Sequence, residues 1–218
     1  MKLTAFAALL LSLVTMSFAE SPAPIHVALI FDDGPVAESA TRLADLLARE
    51  QVHVTFGAVG QKVQADPATA NRLLAAGHEL ANHSWSHLAP DEKIDDATLA
   101  HEIGGAQKAI TEATGVAPKW YWPPFLAVNE RVKAQVAHAG ITLYTPRSLV
   151  VSKDYDMSVG ADEIRQRATT GVTDGCVILF HEWRAETAEQ LPAILAELKR
   201  QGCVFLTFSE LAAYNARR

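Results

Sequence analysis

The stretch Val27-Ala28-Leu29-Ile30-Phe31-Asp32-Asp33-Gly34-Pro35 decides how the rest of the chain is interpreted. Five apolar residues followed by a turn signal are typical of a buried parallel strand. Asp32 and Asp33 then lie where the strand leaves the core, and Gly34-Pro35 lets the chain turn away. Two adjacent carboxylates repel each other unless a cation or a proton holds them. A solvated turn with an Asp helix cap is the alternative, so the other segments must decide.

Strand-like apolar runs alternate with segments of helical periodicity about seven times along the chain. This alternation predicts right-handed β-α-β crossovers and a parallel sheet. We therefore predict an α/β fold, a distorted (β/α) barrel of about seven parallel strands, with an open doubly wound sheet as the alternative. One long helix is predicted from residue 95 or 96 to about 114, a terminal helix is predicted to be capped by Ser209, and loops are predicted at 59–66 and 147–160.

Residues 1–19 have the pattern of a secretory signal peptide: Lys2, an apolar segment from Leu3 to Val14, and small residues at the two positions read by a signal peptidase. The apolar segment is too short and wrongly flanked for a membrane helix. We therefore predict export to the periplasm or the extracellular space, a single catalytic domain over residues 20–218, and no integral membrane segment in the mature chain.

The charge of the chain argues against nucleic acid as a partner. The formal net charge is −6, and the predicted signal peptide contains one lysine and no acidic residue, so the remainder is one unit more acidic. Without a basic run, such a chain is poorly suited to nucleic acid or anionic membrane surfaces.

Cys176 and Cys203 each open an apolar run. An exported chain could join them in a disulfide, or both could be buried free thiols.

Unusual polar residues follow four of the predicted strands: Asp32-Asp33, His83 with His87, Pro123-Pro124-Phe125, and His181-Glu182. Because the carboxyl ends of parallel strands share one face of a barrel, these residues are expected to converge on one site. The spacing of His83 and His87 allows both imidazoles to bind one metal ion, although such pairs are often incidental. With an aspartate from the first strand they make a three-ligand site, a composition that suits catalytic Zn²⁺.

These segments resemble the five motifs of the polysaccharide deacetylase family, also called carbohydrate esterase family 4 or the NodB-homology domain. The resemblance covers roughly residues 25–212. The motifs T-F-D-D-G-P, the two-histidine motif, R-P-P-Y, the Asp-Trp motif and L-x-H correspond to Ile30–Pro35, His83-Ser84-Trp85-Ser86-His87, Trp122-Pro123-Pro124-Phe125, Asp154-Tyr155 and Leu179-Phe180-His181. The first two motifs are highly specific, and the third is only partly kept.

The resemblance implies a role for each matching residue. Asp33, His83 and His87 would bind one divalent metal ion, Zn²⁺ first, with Co²⁺, Ni²⁺ or Mn²⁺ as alternatives. Asp32 would be the general base, and His181 the general acid, oriented by Asp154. The substrate-binding residues would be Phe125, whose backbone N–H stabilises the oxyanion, together with Leu179 and Tyr155 around the acetyl methyl group, and Pro124 and Trp122.

Two positions depart from the family pattern. Trp122 occupies the position of an arginine that pairs with the base, so the pKa of Asp32 is expected to be higher than in relatives that keep the arginine. Arg147 or Lys119 could supply the missing cation from a neighbouring position. Phe125 replaces a tyrosine, which removes only a phenol.

The resemblance implies a secreted, metal-dependent hydrolase that removes acetyl groups from an N-acetylated or O-acetylated poly- or oligosaccharide. Two alternatives stay open: a carbohydrate-binding homologue that has lost catalysis, and a metal-independent hydrolase of small cyclic amides on the same fold. The glycan and the oligomeric state have no readable signature in the sequence.

Overall fold

The computed structural model describes residues 23–90 and 93–218. The predicted signal peptide and the first residues of the predicted domain lie outside these ranges. The described residues contain eight strands: β1 (Ile25–Gly34), β2 (Thr55–Ala58), β3 (Glu79–Asn82), β4 (Trp120–Tyr121), β5 (Thr142–Leu143), β6 (Ser148–Val151), β7 (Cys176–His181) and β8 (Cys203–Leu206). Every ladder between them is parallel.

The strands form one curled sheet in the order β5-β4-β3-β2-β1-β7-β6. Strand β1 is long enough to hold two neighbours on one side, because residues 25–28 pair with β8 while residues 30–34 pair with β2. In the described ranges no ladder joins β5 to β6, so the barrel stays open there. The prediction of a distorted (β/α) barrel with about seven parallel strands is confirmed.

Helices on the outside of the sheet are α1 (Ala37–Glu50), α2 (Gly60–Ala65), α3 (Pro67–Ala75), α4 (Asp96–Ala100), α5 (Ala106–Thr114), α6 (Glu130–His138), α7 (Ala161–Thr169) and α8 (Ala185–Arg200). The last helix, α9 (Phe208–Asn215), contributes Phe208 and Leu211 to the barrel interior. A π-helical turn, His101–Gly105, joins α4 to α5. Within the described part of the chain, no helix combines the length and apolar character needed to cross a membrane.

Four local predictions differ from the structure. The predicted loop at 147–160 contains β6, whose Leu149 and Val151 pack into the barrel interior. The loop at 59–66 contains the short helix α2, and the predicted long helix is interrupted by the π-helical turn. The last helix is capped by Thr207 rather than Ser209, because Thr207 and Glu210 form a reciprocal capping box.

Alternation along β1 divides its side chains between two apolar layers. Val27, Leu29 and Phe31 face the helices, whereas Ala28 and Ile30 face the barrel interior. Strand β7 follows the same rule, since Val177 and Leu179 face the interior. Because successive side chains alternate, Asp32 and His181 continue the inward-facing rows, and the two residues are register partners in the β1–β7 ladder.

The bottom of the barrel is filled by aromatic rings. Phe208 at the start of α9 stacks on Tyr144 with a centroid distance of 3.8 Å and packs edge-on against Trp122 at 5.4 Å. These rings fill the lower part of the barrel interior, so the interior opens toward the carboxyl ends of the strands. Cys176 and Cys203 start β7 and β8, and both are free, buried thiols.

Candidate active site

A cavity of about 460 Å³ opens at the carboxyl ends of the strands. It is lined by residues from β1, β3, β4, β6 and β7 and from the loops that follow them: Asp32, Asp33, His83, His87, Phe125, Leu126, Val151, Tyr155, Leu179, His181 and Trp183. The predicted convergence of the four polar strand ends on one face is thus present.

A β-bulge aims both aspartates at this cavity. The pairing of β1 with β2 gains one residue between Phe31 and Gly34, and Asp33 has a φ of 70°. Bulges of this kind re-aim side chains that regular alternation would send to opposite faces. The sequence suggests that Gly34 serves the turn after the strand. The structure shows a steric reason instead, because a Cβ at this position would lie 1.9 Å from Oε2 of the buried Glu182.

Asp33, His83 and His87 form a compact cluster whose potential ligand atoms all lie within 4.8 Å of one another. Asp33 Oδ1 is 3.1 Å from His87 Nε2 and 3.6 Å from His83 Nε2. Asp33 Oδ1 and His83 Nε2 are buried and have no hydrogen-bond partner. Two imidazole nitrogens and a carboxylate oxygen that converge in this way, with buried atoms left unpaired, are a donor set that fits a divalent metal ion.

The two histidines are held by their loop rather than by a helix. His83 Nδ1 is 2.6 Å from the carbonyl oxygen of Trp122, so this nitrogen carries the proton and Nε2 presents its lone pair to the cavity. Ser84 and His87 both have positive φ, at 65° and 63°. Backbone conformations of this kind cluster at functional sites, where the surrounding structure maintains them.

The π-helical turn between α4 and α5 anchors this histidine loop. Glu102 is buried in the turn and accepts hydrogen bonds from Ser86 N at 2.9 Å and Ser86 Oγ at 2.6 Å. Asn82 donates to the carbonyl oxygen of Ile103 in the same turn. The side chain of His101 packs on Trp85 at 5.0 Å. Through these contacts the π-helical turn holds in place the loop that carries His83 and His87.

Asp32 is buried beside the cluster and is bonded by a neutral donor. Trp122 Nε1 donates to Asp32 Oδ2 at 2.9 Å, while Oδ1 has no partner. Burial raises the pKa of Asp32 above its ordinary value, and the nearby imidazoles and the Trp122 bond only partly oppose this. Arg147 and Lys119 precede β6 and β4, at the opposite end of the strands, so neither can supply a cation to Asp32.

His181 lies across the cavity from the histidine loop and is oriented by a buried carboxylate. Its Nδ1 is 2.8 Å from Asp154 Oδ1, and Asp154 Oδ2 accepts from the His181 backbone N–H and from Thr187 Oγ1. Burial opposes protonation of His181, but the Asp154 carboxylate outweighs it and raises the pKa of the imidazole. This leaves Nε2 available to exchange a proton with a ligand.

The sequence profile of the family described as "Polysaccharide deacetylase" matches residues 19–144. This chain belongs to the polysaccharide deacetylase family. It is 33% identical over 186 residues to the peptidoglycan-N-acetylglucosamine deacetylase PgdA of Listeria monocytogenes, covering 85% of this chain and 38% of that protein. The chain thus spans about two fifths of the length of this relative.

Solved structures of polysaccharide deacetylase relatives share the fold. The peptidoglycan deacetylase PdaC from Bacillus subtilis superimposes with a TM-score of 0.81 and 28% identity, covering 91% of this chain and 95% of that one. A family 4 acetyl xylan esterase from Clostridium thermocellum, solved with a cobalt ion, has a TM-score of 0.79 and 30% identity, covering 88% of this chain and 92% of that one. The resemblance seen in the five motifs is therefore confirmed.

The substrate-binding residues expected for a polysaccharide deacetylase are only partly at the cavity surface. Phe125, Tyr155 and Leu179 line it. Pro124 is buried and is not among the lining residues, because the turn that follows it points Phe125 outward. Trp122 lies beneath the cavity, with its ring in the core and its N–H on Asp32.

Sequence reasoning missed Trp183. Its Nε1 donates to Asp33 Oδ2 at 2.8 Å, and its ring lies 5.8 Å from that of His181. The neighbouring Glu182 accepts hydrogen bonds from Val36 N and Ser39 Oγ, which holds the turn after β1. A tryptophan two residues after a strand-terminal histidine was the available signal, since the loop after a barrel strand lies at the site.

Proposed function

We propose that this chain is a metal-dependent deacetylase that hydrolyses the amide or ester of an acetylated carbohydrate. The observation that carries the proposal is the placement of Asp32 and His181 beside the three-ligand cluster of Asp33, His83 and His87. One buried carboxylate, with its Oδ2 3.7 Å from His83 Nε2, and one oriented imidazole flank the place where a divalent ion would bind. That is the arrangement which acid–base hydrolysis of an acetyl group requires.

Asp33, His83 and His87 would hold the ion, with Zn²⁺ proposed first and Co²⁺, Ni²⁺ or Mn²⁺ as alternatives. When bound, a divalent cation supplies Lewis-acid activation of the acetyl carbonyl and of the attacking water. The unpaired Asp33 Oδ1 and His83 Nε2 support this assignment. The bond from His83 Nδ1 to the Trp122 carbonyl supports it further, because it fixes the tautomer that a ligand needs.

Asp32 is proposed as the general base. Its Oδ2 lies 3.7 Å from His83 Nε2, so this oxygen faces the place of the ion and can accept the proton of the attacking water, while the Trp122 N–H holds it in position. Burial favours the protonated form and raises the pKa of Asp32, which brings this carboxylate closer to the working range of a base.

His181 is proposed as the general acid that protonates the leaving amine or alcohol. Asp154 accepts from Nδ1 and stabilises the protonated ring, so the proton at Nε2 is directed toward the cavity. Leu179 and Tyr155 form an apolar wall suited to the acetyl methyl group. The backbone N–H of Phe125 is proposed to stabilise the oxyanion, from a turn in which this residue has a φ of 56°.

A carbohydrate-binding protein without catalysis is the main rival. It would not need a buried Asp32 beside the cluster, nor the Asp154–His181 pair, which favours the enzyme. A metal-independent cyclic-amide hydrolase would not need the cluster of two histidines and one aspartate.

We further propose that residues 1–19 direct export and that residues 20–218 form the catalytic domain. The apolar segment with its small-residue cleavage positions supports this.

The test is acetate release from a panel of chitin oligomers, peptidoglycan, acetylxylan and an acetylated exopolysaccharide. We expect release by the metal-loaded protein, its loss on chelation, and its recovery when Zn²⁺ or Co²⁺ is returned. Asp32→Asn should abolish turnover while keeping metal affinity, because Asp32 is not one of the ligands. Bound metal without acetate release from any substrate would favour the binding protein. Release that survives complete metal removal would contradict metal dependence.

A further inference from the structure

The three candidate metal ligands come from two segments that the sheet order keeps apart. Asp33 lies in the bulged end of β1, whereas His83 and His87 lie in the loop after β3, the histidine loop. Strand β2 runs between β1 and β3, so the chain that leaves β2 emerges between the two segments. That chain is the start of α2, and its position allows it to set the distance from Asp33 to the histidines.

The start of α2 bonds to both segments through its backbone. The first N–H groups of a helix have no partner within the helix, so they can bond to neighbouring parts of the chain. Three successive N–H groups here donate to carbonyl oxygens on either side: Val59 N to Gly34 O at 2.8 Å, Gly60 N to Ser84 O at 2.9 Å and Gln61 N to Trp85 O at 3.0 Å. One bond reaches the end of β1 and two reach the histidine loop, so the helix start ties the two segments together.

Gly60 allows the start of α2 to come this close. A Cβ at this position would lie 2.8 Å from Ala106 Cα and 3.0 Å from Trp85 Cε3, and both distances are shorter than ordinary packing allows. The first of these contacts is with the backbone of α5, which cannot move aside as a flexible side chain could. The missing side chain therefore fixes how near α2 lies to the histidine loop.

Lys62 extends the same contact to the main chain of a candidate ligand. This half-buried side chain donates from its ammonium to the carbonyl oxygen of Asp33. Asp33 has a φ of 70°, a conformation that is costly for a residue with a side chain and that its surroundings must maintain. A hydrogen bond from a charged donor is a strong restraint of this kind. Lys62 thus restrains the main chain of Asp33, whereas Trp183 restrains its carboxylate.

We propose that residues 59–62, the α2 brace, set the spacing between Asp33 and the two histidines before an ion binds, with Lys62 as the positioning residue for Asp33. The backbone bonds of the brace place the histidine loop, and the Lys62 ammonium places the bulged end of β1. Ligands that are held in advance lose less freedom when the ion binds, and groups that orient ligands change metal affinity by about 10- to 100-fold. This inference rests on the proposed function, because it concerns the ion that the same site would hold.

The charge of Lys62 makes the proposal testable by the sign of an effect. An ammonium near the cluster repels a divalent cation, so charge alone predicts that its removal strengthens Zn²⁺ binding. Positioning predicts the opposite, because the Asp33 carbonyl loses its donor. The direction of the change in affinity therefore separates the two effects.

The first experiment measures the Zn²⁺ dissociation constant of the apoprotein in metal-buffered solution at pH 7. Lys62→Met keeps the apolar stem and removes the ammonium, and we expect it to bind Zn²⁺ about tenfold more weakly. Lys62→Arg keeps the charge and a donor and should recover most of the affinity. The matched control is Lys108→Met, which removes an exposed lysine on α5 that lies 3.8 Å from Glu112, and it should match wild type.

The second experiment tests the close approach of α2. Gly60→Ala adds a Cβ against Ala106 and Trp85. It should weaken Zn²⁺ binding and alter the visible spectrum of the Co²⁺-loaded protein, which reports the geometry of the ligands. Gly160→Ala is the control, because a Cβ there meets nothing within 4 Å. If Gly60→Ala lowers only the temperature of thermal unfolding and leaves the spectrum of the folded protein unchanged, its role is structural and this part of the proposal is wrong.

The outcomes separate failure of the brace from failure of the proposed function. Equal or tighter Zn²⁺ binding by Lys62→Met would overturn the positioning role, and so would a loss that Lys62→Arg shares in full. If wild type binds neither Zn²⁺ nor Co²⁺, the proposed function and the brace fail together. Tight binding by wild type that Lys62→Met and Gly60→Ala both retain would keep the proposed function and reject the brace alone.

Discussion

Trp183→Phe tests whether a side chain outside the five sequence motifs positions a metal ligand. Trp183 Nε1 donates to Asp33 Oδ2 at 2.8 Å, which leaves Oδ1 facing His83 and His87. Phenylalanine keeps an aromatic face at the cavity but removes the donor. The carboxylate of Asp33 can then rotate, so Oδ1 is no longer held toward the two imidazoles.

The magnitude follows from the geometry of this bond. A hydrogen bond to a charged acceptor contributes about 1.5–3 kcal/mol. Trp183 is 42% exposed, so water can replace part of the lost bond and the lower end of that range applies. About 1.4 kcal/mol corresponds to a tenfold change in an equilibrium constant, so we expect about tenfold weaker Zn²⁺ binding. Burial raises the pKa of Asp33, but the nearby imidazole of His83 and the hydrogen bond from Trp183 lower it below its ordinary value. At neutral pH Asp33 is thus ionised, and the loss is one of orientation.

The assay is competition for Zn²⁺ between the apoprotein and a chromophoric chelator at pH 7. Trp120→Phe is the matched control, because it removes an indole N–H that donates to Ser209 Oγ at 3.0 Å, away from the cavity. Thermal unfolding of both apoproteins checks that any change in affinity is not a folding defect.

Equal Zn²⁺ affinity for wild type and Trp183→Phe would refute this reasoning. So would an equal loss in Trp120→Phe, since that result would mean that removal of any indole donor loosens the barrel. The absorption spectrum of the Co²⁺-substituted protein gives a second readout, and it should change in Trp183→Phe alone.

Three further outcomes are expected. Trp122→Phe removes the indole N–H whose hydrogen bond lowers the pKa of Asp32 and should move the acidic limb of the kcat/KM profile up by about one pH unit, with little change at high pH. Glu102→Ala leaves both donors of Ser86 without their partner and should lower the free energy of unfolding by about 2 kcal/mol and weaken Zn²⁺ binding, while Glu102→Gln restores part of both. Burial, with a smaller contribution from a nearby histidine, lowers the pKa of His78 to about 4. The free energy of unfolding should therefore fall as pH drops from about 6.5 toward 4. Denaturant unfolding of His78→Asn, which keeps an acceptor for the Val54 N–H, should show a smaller fall.

Each of the three has an outcome that contradicts it. An unchanged acidic limb in Trp122→Phe would mean that Asp32 does not set that limb. Wild-type Zn²⁺ affinity in Glu102→Ala would mean that the histidine loop keeps its shape without the π-helical turn. Parallel loss of stability in wild type and His78→Asn would assign the acid sensitivity to other groups; the exposed His138, replaced by Asn, serves as the control there.

The sequence alone determined the barrel and the position of its site. Period-2 alternation in β1 and β7 is a local property, and it places Asp32 and His181 on the inward side of their strands before any long-range contact is known. The apolar runs and the helical segments between them require parallel pairing, so the strand ends share one face. His83 and His87 follow the third strand and are placed at this face by the same pattern, whereas Asp33 reaches the cavity through the bulge in β1.

Only the tertiary structure decided which donors complete the site. Trp122 donates to Asp32 across 90 residues, and Trp183 donates to Asp33 across 150. The π-helical turn bonds to Ser86 only because two segments distant in sequence are adjacent in the fold. Strand β6 forms because Leu149 and Val151 pack into the apolar interior of the barrel. Local pattern sets which way a side chain faces, whereas a hydrogen bond needs a distance and an angle that only the complete packing of the chain defines.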